Sequence, residues 1–392
     1  MRILYYTHSA FWEQALSLVK ELSSRAEVHL LVELGPEAWK TAAFDISKPD
    51  LEGGLLPANE VVASAFPAAV SSYWRDVASF HLVVHTSKLS LHPASWNRSR
   101  EVMRFAQSLK VDILHIDDLD VSPRLALALA QDWAIPIALN VHDPQPHEGE
   151  GGWRKRLARS LGYRRASRFI LHNHSQVTSF RQQCSLPAQV VHVVELGATD
   201  ILQAWADPKA RNIGPCVLFF GRVSAYKGLD VLYSATSAIA SRVPGVRFVV
   251  AGKPVPGYIP PQPPRLPPPA SIEVLSSYIG NPTLARLLQE ATLVACPYTG
   301  ATQSGVVLTA YGFDKTVVAT AVGGLPEYVV HGRSGLIVPP HDPEALAAAI
   351  SRLLLEDDLR QRLEDGVRSE KTNRLNWKRA ADEMMHIYRS ML

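Results

Sequence analysis

Two cations between a pair of glycines are the residues of this chain best suited to chemistry. Gly221-Arg222-Val223-Ser224-Ala225-Tyr226-Lys227-Gly228 follows the apolar run Cys216 to Phe220 and leads into a helical pattern. Arginine offers a rigid fork of donors and lysine a compact charge, so the pair suits the two sides of a diphosphate. Downstream, the strand-like run Thr292 to Cys296 ends at Pro297, and Ser304-Gly305-Val306 then opens an apolar helical segment. The first N–H groups of a helix lack internal partners and carry partial positive charge, which makes that opening a place for an anion. A further apolar run, Thr316 to Ala319, enters Gly323-Gly324-Leu325-Pro326-Glu327, where glycine lets backbone approach a ligand and proline can begin a helix. Several phosphate-compatible turns along one path point to a nucleotide diphosphate. The competing reading is solvated loop cations, with Glu327 no more than an acid near a helix start.

The first half of the chain offers thinner clues. Pro136 to Val141 is an apolar run ending in His142-Asp143-Pro144, with His147 just beyond; His8-Ser9 and His115-Ile116-Asp117-Asp118 end two other such runs. Residues at the carboxyl ends of strands face the ligand side of an open α/β sheet. A satisfied structural histidine is the alternative at each. Metal ligation by His142, Asp143 and His147 lacks a second ligand group nearby in sequence, and no metal is expected. Seven cations, Arg154, Lys155, Arg156, Arg159, Arg164, Arg165 and Arg168, lie in one stretch without an acid, interleaved with Trp153, Leu157, Leu161 and Tyr163. Such a helix can rest on anionic lipid or steer a lipid-diphosphate acceptor, unless it is only a solvated face.

The elements that must position these residues alternate. Short apolar strands and amphipathic helices follow one another almost throughout, which predicts an α/β fold with parallel sheets. Trp12, Ala15, Leu16 and Val19 share one helical face, and Ser122-Pro123, Asn281-Pro282 and Asp342-Pro343 mark helix starts. The 392 residues suit two domains, expected at 1–200 and 201–375, with a terminal helix at 376–392 packing back on the first. Residues Lys253 to Ala270 carry nine prolines and cannot be helical, so a polyproline-like surface segment is expected there. A hydrophobic fraction of 47% and a charged fraction of 20% mark a packed globular chain. A net charge of +3 with no nucleic-acid motif argues against RNA or DNA as a partner. Three cysteines without metal spacing fit a reducing compartment, and no apolar run reaches the ~18 residues of a membrane span. The expected location is cytoplasmic, with a peripheral contact at the inner face of a membrane through Arg154 to Arg168.

FGRVSAYKGLDVL, VRFVVAGK, SSYIGNPTLARLLQEATLVACPY, ATQSGVVLTAYGF and VGGLPEYVVHGRSGLIVPPHDPEAL, taken as a set, resemble the donor half of retaining GT-B glycosyltransferases of family 4. The likeness is close over Cys216 to Leu355 and loose before it. It implies two Rossmann-like domains facing across a cleft. It also implies a nucleotide-diphosphate sugar as co-substrate, UDP- or GDP-linked, and transfer with retention and no required metal. It assigns Gly221, Arg222 and Lys227 to the diphosphate, Ser304, Gly305 and Val306 to its distal phosphate, and Tyr278-Ile279 to the base. A histidine near the donor sugar is implied at His142, and Glu327 falls in the donor half. The family usually carries two glutamates with seven residues between them; this chain has Ala301 and Thr309 there. Gln303 is the expected stand-in for the first, and Thr309 offers the ribose one hydrogen bond in place of two. The expected activity is transfer of a hexose to a glycan or lipid-linked acceptor of cell-surface or exopolysaccharide type. A non-catalytic homologue that binds nucleotide or a partner subunit is the alternative.

Overall fold

The structure, a computed structural model, describes the chain apart from residues 37–39, 42–43, 47–52, 59–61, 63, 88, 90–91, 120–123, 126–128, 130–132, 145–152 and 213. The helix start anticipated at Ser122-Pro123 and the position of His147 lie outside the described residues. The chain divides into two compact units, Met1–Leu196 with Trp377–Leu392, and Gly197–Asn376.

The first unit is built on strands β1 (Arg2–His8), β2 (Glu27–Leu34), β5 (Gly54–Pro57), β6 (Ser79–Val84), β7 (Ile113–Ile116), β8 (Ile137–Asn140), β9 (Arg168–Leu171) and β10 (Val191–Val193), with a small hairpin of β3 (Lys40–Thr41) and β4 (Phe44–Asp45). Their order is β10-β9-β8-β7-β1-β2-β6-β5. Strands such as Ile3–Tyr6 are apolar without alternation because helices cover both faces of a parallel sheet. Helices α1 (Trp12–Ser23), α2 (Pro93–Ser108), α3 (Trp153–Arg165) and α4 (Val177–Cys184) supply part of that cover. Trp12, Ala15, Leu16 and Val19 are all buried, and the Trp12 ring packs among Phe44, Phe66, Trp74 and Phe80. One strand departs from the expected parallel order: β5 runs antiparallel to β6 at the sheet edge. The GLLP run is short, and its proline is tolerated because an edge strand need not donate on both sides. The helix Trp377–Arg389 belongs to this unit. It buries Ala380, Ala381, Met384, Met385 and Tyr388, and Asp382 accepts from Arg25 Nε at 2.7 Å.

The second unit holds six parallel strands in the order β13-β12-β11-β14-β15-β16: β11 (Cys216–Phe220), β12 (Arg247–Ala251), β13 (Ser271–Leu275), β14 (Leu293–Cys296), β15 (Val317–Thr320) and β16 (Gly335–Val338). Its helices are α5 (Leu229–Arg242), α6 (Asn281–Glu290), α7 (Gly305–Gly312), α8 (Leu325–Tyr328), α9 (Pro343–Leu355) and α10 (Asp357–Asn373). Asp342 caps α9 through the Ala345 amide at 2.8 Å. Asn281, by contrast, lies inside α6 and Gly280 is its cap residue, so this start falls one residue earlier than the Asn-Pro pair suggests.

Parallel neighbours need a long crossover, normally a helix. Between β12 and β13 the crossover is instead residues 253–270, the proline-rich segment. Tyr258, Leu266 and Ala270 pack it onto the core, while Ile259, Gln262, Arg265 and Pro268, three residues apart, are exposed. The segment therefore lies along the unit with one side on the core and the other in solvent.

Candidate functional site

The loops that leave β11, β14 and β15 meet at the carboxyl edge of the second sheet. Their meeting depends on missing side chains. Gly228 has φ +67°, and a Cβ there would sit 1.9 Å from the Pro297 carbonyl oxygen; at Gly323 a Cβ would come within 1.6 Å of Ala301 O. No L-residue with a side chain fits either place without moving backbone. The Thr299 amide donates to Tyr226 O at 2.8 Å and the Gly324 amide to Thr302 O at 3.1 Å, which ties the three loops together. A Cβ on Gly221 would stand 3.2 Å from Val306, so the start of the cationic loop lies against the start of α7.

Arg222 is exposed and makes no ion pair among the described residues. Lys227 Nζ lies 3.9 Å from the centroid of the Tyr298 ring and 5.4 Å from that of Tyr226. Tyr298 is 1% exposed, edge-on to Tyr226, and its hydroxyl is 3.3 Å from Ser304 Oγ. Burial holds the Tyr298 phenol well above its usual range, so it stays neutral, and burial likewise pushes the Cys296 thiol up to about 11. Ser304 occupies the cap position of α7, yet its side chain bonds none of the helix amides. Gln303 Oε1 and Ser224 Oγ are buried without a hydrogen-bond partner among the described residues. Buried polar atoms are rarely left so. Thr309 is buried within α7, Ala301 is half-buried, and Glu327 is half-buried in the four-residue α8. Tyr278 and Ile279 are half-buried beyond the carboxyl end of β13, the edge strand of the same sheet.

In the first unit, His142 follows β8. It is buried, stacks on Phe11 with ring centroids 4.0 Å apart, and lies 4.6 Å from the His172 ring. Burial lowers its pKa, so the ring is neutral. Neither ring nitrogen has a hydrogen-bond partner among the described residues, and neither does Asn140 Oδ1 beside it in sequence. Around them stands a polar cluster from the carboxyl ends of β1, β7 and β8. Tyr5 OH and Asn140 Nδ2 both donate to Asp117 Oδ1, at 2.8 and 2.7 Å, and His115 Nε2 lies 3.7 Å from the same oxygen. A second buried charge sits at β2: Glu33 takes hydrogen bonds from Tyr6 OH at 2.6 Å and Arg124 Nη1 at 3.0 Å. Burial pushes its carboxyl up, but His85, His8 and Arg124 with the Tyr6 bond outweigh that and hold it ionised. Among the described residues no three His, Cys, Asp or Glu side chains gather into a metal-binding group.

The basic helix is only partly free for another surface. Arg159 donates to the carbonyls of Pro144 at 2.8 Å and Asp143 at 2.6 Å, and so braces the turn after His142. Arg165 donates to Trp133 O, and Arg168, already on β9, to Ser390 O. Arg156, Leu157 and Arg164 are exposed; the side chains of Trp153, Arg154 and Lys155 lie outside the described residues. Among the described residues no helix is long and apolar enough to cross a membrane.

Both units match known sequence families. Residues 214–356 match the family described as Glycosyl transferases group 1, and residues 11–197 match the Glycosyl transferase 4-like domain. The chain belongs to the family 4 glycosyltransferases, of GT-B fold. Among curated relatives it is similar to D-inositol 3-phosphate glycosyltransferase of Saccharomonospora viridis, 36% identical over 44% of this chain and 42% of that protein. It is similar also to alpha-D-kanosaminyltransferase of Streptomyces kanamyceticus, 24% identical over 58% of this chain and 61% of that protein. It spans between 42% and 64% of the length of the first such relatives. Among solved structures, Anabaena HepE in complex with UDP-glucose has the same fold, with a TM-score of 0.69 and 18% identity over 100% of both chains.

In this family member the sequence pointed to Arg222, Lys227 and Ser304 but not to Tyr298 or Ser224, which stand among them. Tyr298 reads as a loop residue just past Pro297, and Ser224 as a loop hydroxyl. Their burial with unmet or redirected polar atoms is visible only in three dimensions.

Proposed function

We propose that this protein transfers a hexose from a UDP- or GDP-sugar, with retention of anomeric configuration, to a glycan or lipid-linked acceptor. In this reading residues 201–375 bind the donor and 1–200 the acceptor, with 376–392 packing back on the latter. The observation that carries it is the convergence of Arg222, Lys227 and the uncapped start of α7 at one sheet edge. Negative charge grows on the departing diphosphate as the sugar–oxygen bond breaks, and donors already aimed at it stabilise that state more than the ground state. The bond from the sugar to the diphosphate is replaced by one to the acceptor hydroxyl, whose proton leaves with the diphosphate. Gly221, Ser304, Gly305 and Val306 bound the phosphate pocket, Tyr278-Ile279 flanks the base, and neutral His142 contacts the sugar. Gln303 supplies the acceptor oxygen that the family glutamate would, and Thr309 a single ribose contact. No metal is required. Exopolysaccharide or cell-surface glycan synthesis at the cytoplasmic face of a membrane is the setting this implies, with Arg156 and Arg164 toward anionic lipid.

Release of UDP or GDP from a panel of nucleotide sugars tests the reading. Turnover that needs Lys227 supports it, and no stabilisation or turnover with any member refutes it. The absence of carboxylates at 301 and 309 favours one second reading, a homologue that binds nucleotide without turning it over. Nucleotide binding with no release of diphosphate is its signature.

A further inference from the structure

We propose that Tyr298 is a positioning residue: its ring face holds the Lys227 ammonium while its hydroxyl holds the Ser304 side chain, so that two anion-facing loops are set as one unit. The proposal rests on the reading of those loops as a diphosphate site. A lysine on a loop has four rotatable bonds, and fixing it costs conformational entropy that a ligand must otherwise offset. Here Nζ lies 3.9 Å from a ring centroid buried to 1% exposure. The face of a desolvated aromatic ring attracts a cation electrostatically.

The ring is itself anchored. Thr320 Oγ1 donates to Tyr298 O at 2.5 Å, and the ring stands at 89° to Tyr226, which leads directly to Lys227. At its other end the hydroxyl lies 3.3 Å from Ser304 Oγ. Serine at a helix start usually turns its oxygen onto its own helix amides, and the Ser304 hydroxyl bonds none of them. The contact with Tyr298 accounts for this and leaves those amides for an outside anion. One side chain thus touches both halves of the site.

The test is a pair of double-mutant cycles on the full chain, with binding of UDP and GDP followed by calorimetry. Wild type and Lys227→Ala come first. If wild type binds neither nucleotide, or Lys227→Ala binds as well as wild type, the diphosphate reading falls and this proposal with it. With that reading intact, Tyr298→Leu is expected to weaken binding about three- to thirtyfold, yet less than about twofold when Lys227 is already alanine. Equal losses in both backgrounds overturn the proposal, because a packing role lowers stability without depending on Lys227. Tyr298→Phe should keep the dependence on Lys227 and lose the sensitivity to Ser304→Ala. If it loses neither, the hydroxyl has no part. Should Tyr298→Leu fail to fold, phenylalanine and trifluorophenylalanine at 298 differ in ring charge and hardly in shape. Weaker binding with the fluorinated ring supports the proposal, and equal binding overturns it.

Discussion

The hydroxyl of Tyr388 lies 2.8 Å from Nδ1 of His115. Both side chains are fully buried, and the bond joins the helix Trp377–Arg389 to β7 across 273 residues of sequence. Removing the hydroxyl leaves a buried imidazole nitrogen unmet, which costs about 1–3 kcal/mol. Tyr388→Phe is therefore expected to lower the unfolding free energy of the first unit by that amount, seen as a lower urea midpoint, while the nucleotide affinity of the second is unchanged. An unshifted midpoint would show that water replaces the bond.

Lys227 and Arg222 are expected to act on turnover. Alanine at either should lower kcat by about a hundredfold, as the loss of one preorganised donor to a developing anion does. Diphosphate release at saturating sugar nucleotide measures it. A change confined to KM would mean that the cation binds the ground state and the transition state alike.

Gly228→Ala tests the approach of the cationic loop to β14. With φ +67° and Pro297 O where a Cβ would go, the substitution is expected to cost more than the ~1–2 kcal/mol of a left-handed alanine alone. Differential calorimetry reads it, and a variant as stable as wild type would mean that the loop stands away from Pro297.

Acid should destabilise the first unit before neutral carboxylates matter. Burial lowers the pKa of His172 to about 3 and that of His85 to about 4, from an ordinary 6.5. Above pH 6.5 neither folded nor unfolded chain is protonated at these sites, so nothing is lost. As pH falls below 6.5 the unfolded chain takes up protons that the folded one refuses, until the folded values are reached. Each histidine then costs about 1.4 kcal/mol per pH unit, or about 2 kcal/mol at pH 5. Urea melts at pH 7 and 5 should show the fall, and His172→Gln should remove the share of that one ring, about 2 kcal/mol at pH 5. Equal stability at the two pH values would contradict the burial of both rings.

Much of the fold was legible because helices on both faces of a parallel sheet make its strands continuous apolar runs. Cys216 to Phe220 and Gly335 to Val338 read from sequence with their observed limits. β5 did not, since Gly54–Pro57 is short and ends in a proline that usually argues against a strand. The nine prolines excluded a helix between β12 and β13, while the packing of Tyr258 and Leu266 made that segment the crossover itself.

Local sequence by itself determined the order of strands and helices, the glycines at the turns, and the types of side chain leaving each strand. These depend on backbone sterics, helix capping and hydrophobic period, all set within a few residues. Tertiary structure alone decided which of those side chains meet. Tyr298 lies beneath Lys227, 71 positions away in sequence, only because β11 and β14 are neighbours in the sheet. Gln303 Oε1 and Ser224 Oγ become buried acceptors without partners among the described residues only when three loops close on one another. A contact between distant residues is a property of strand order and register, and no local pattern encodes it.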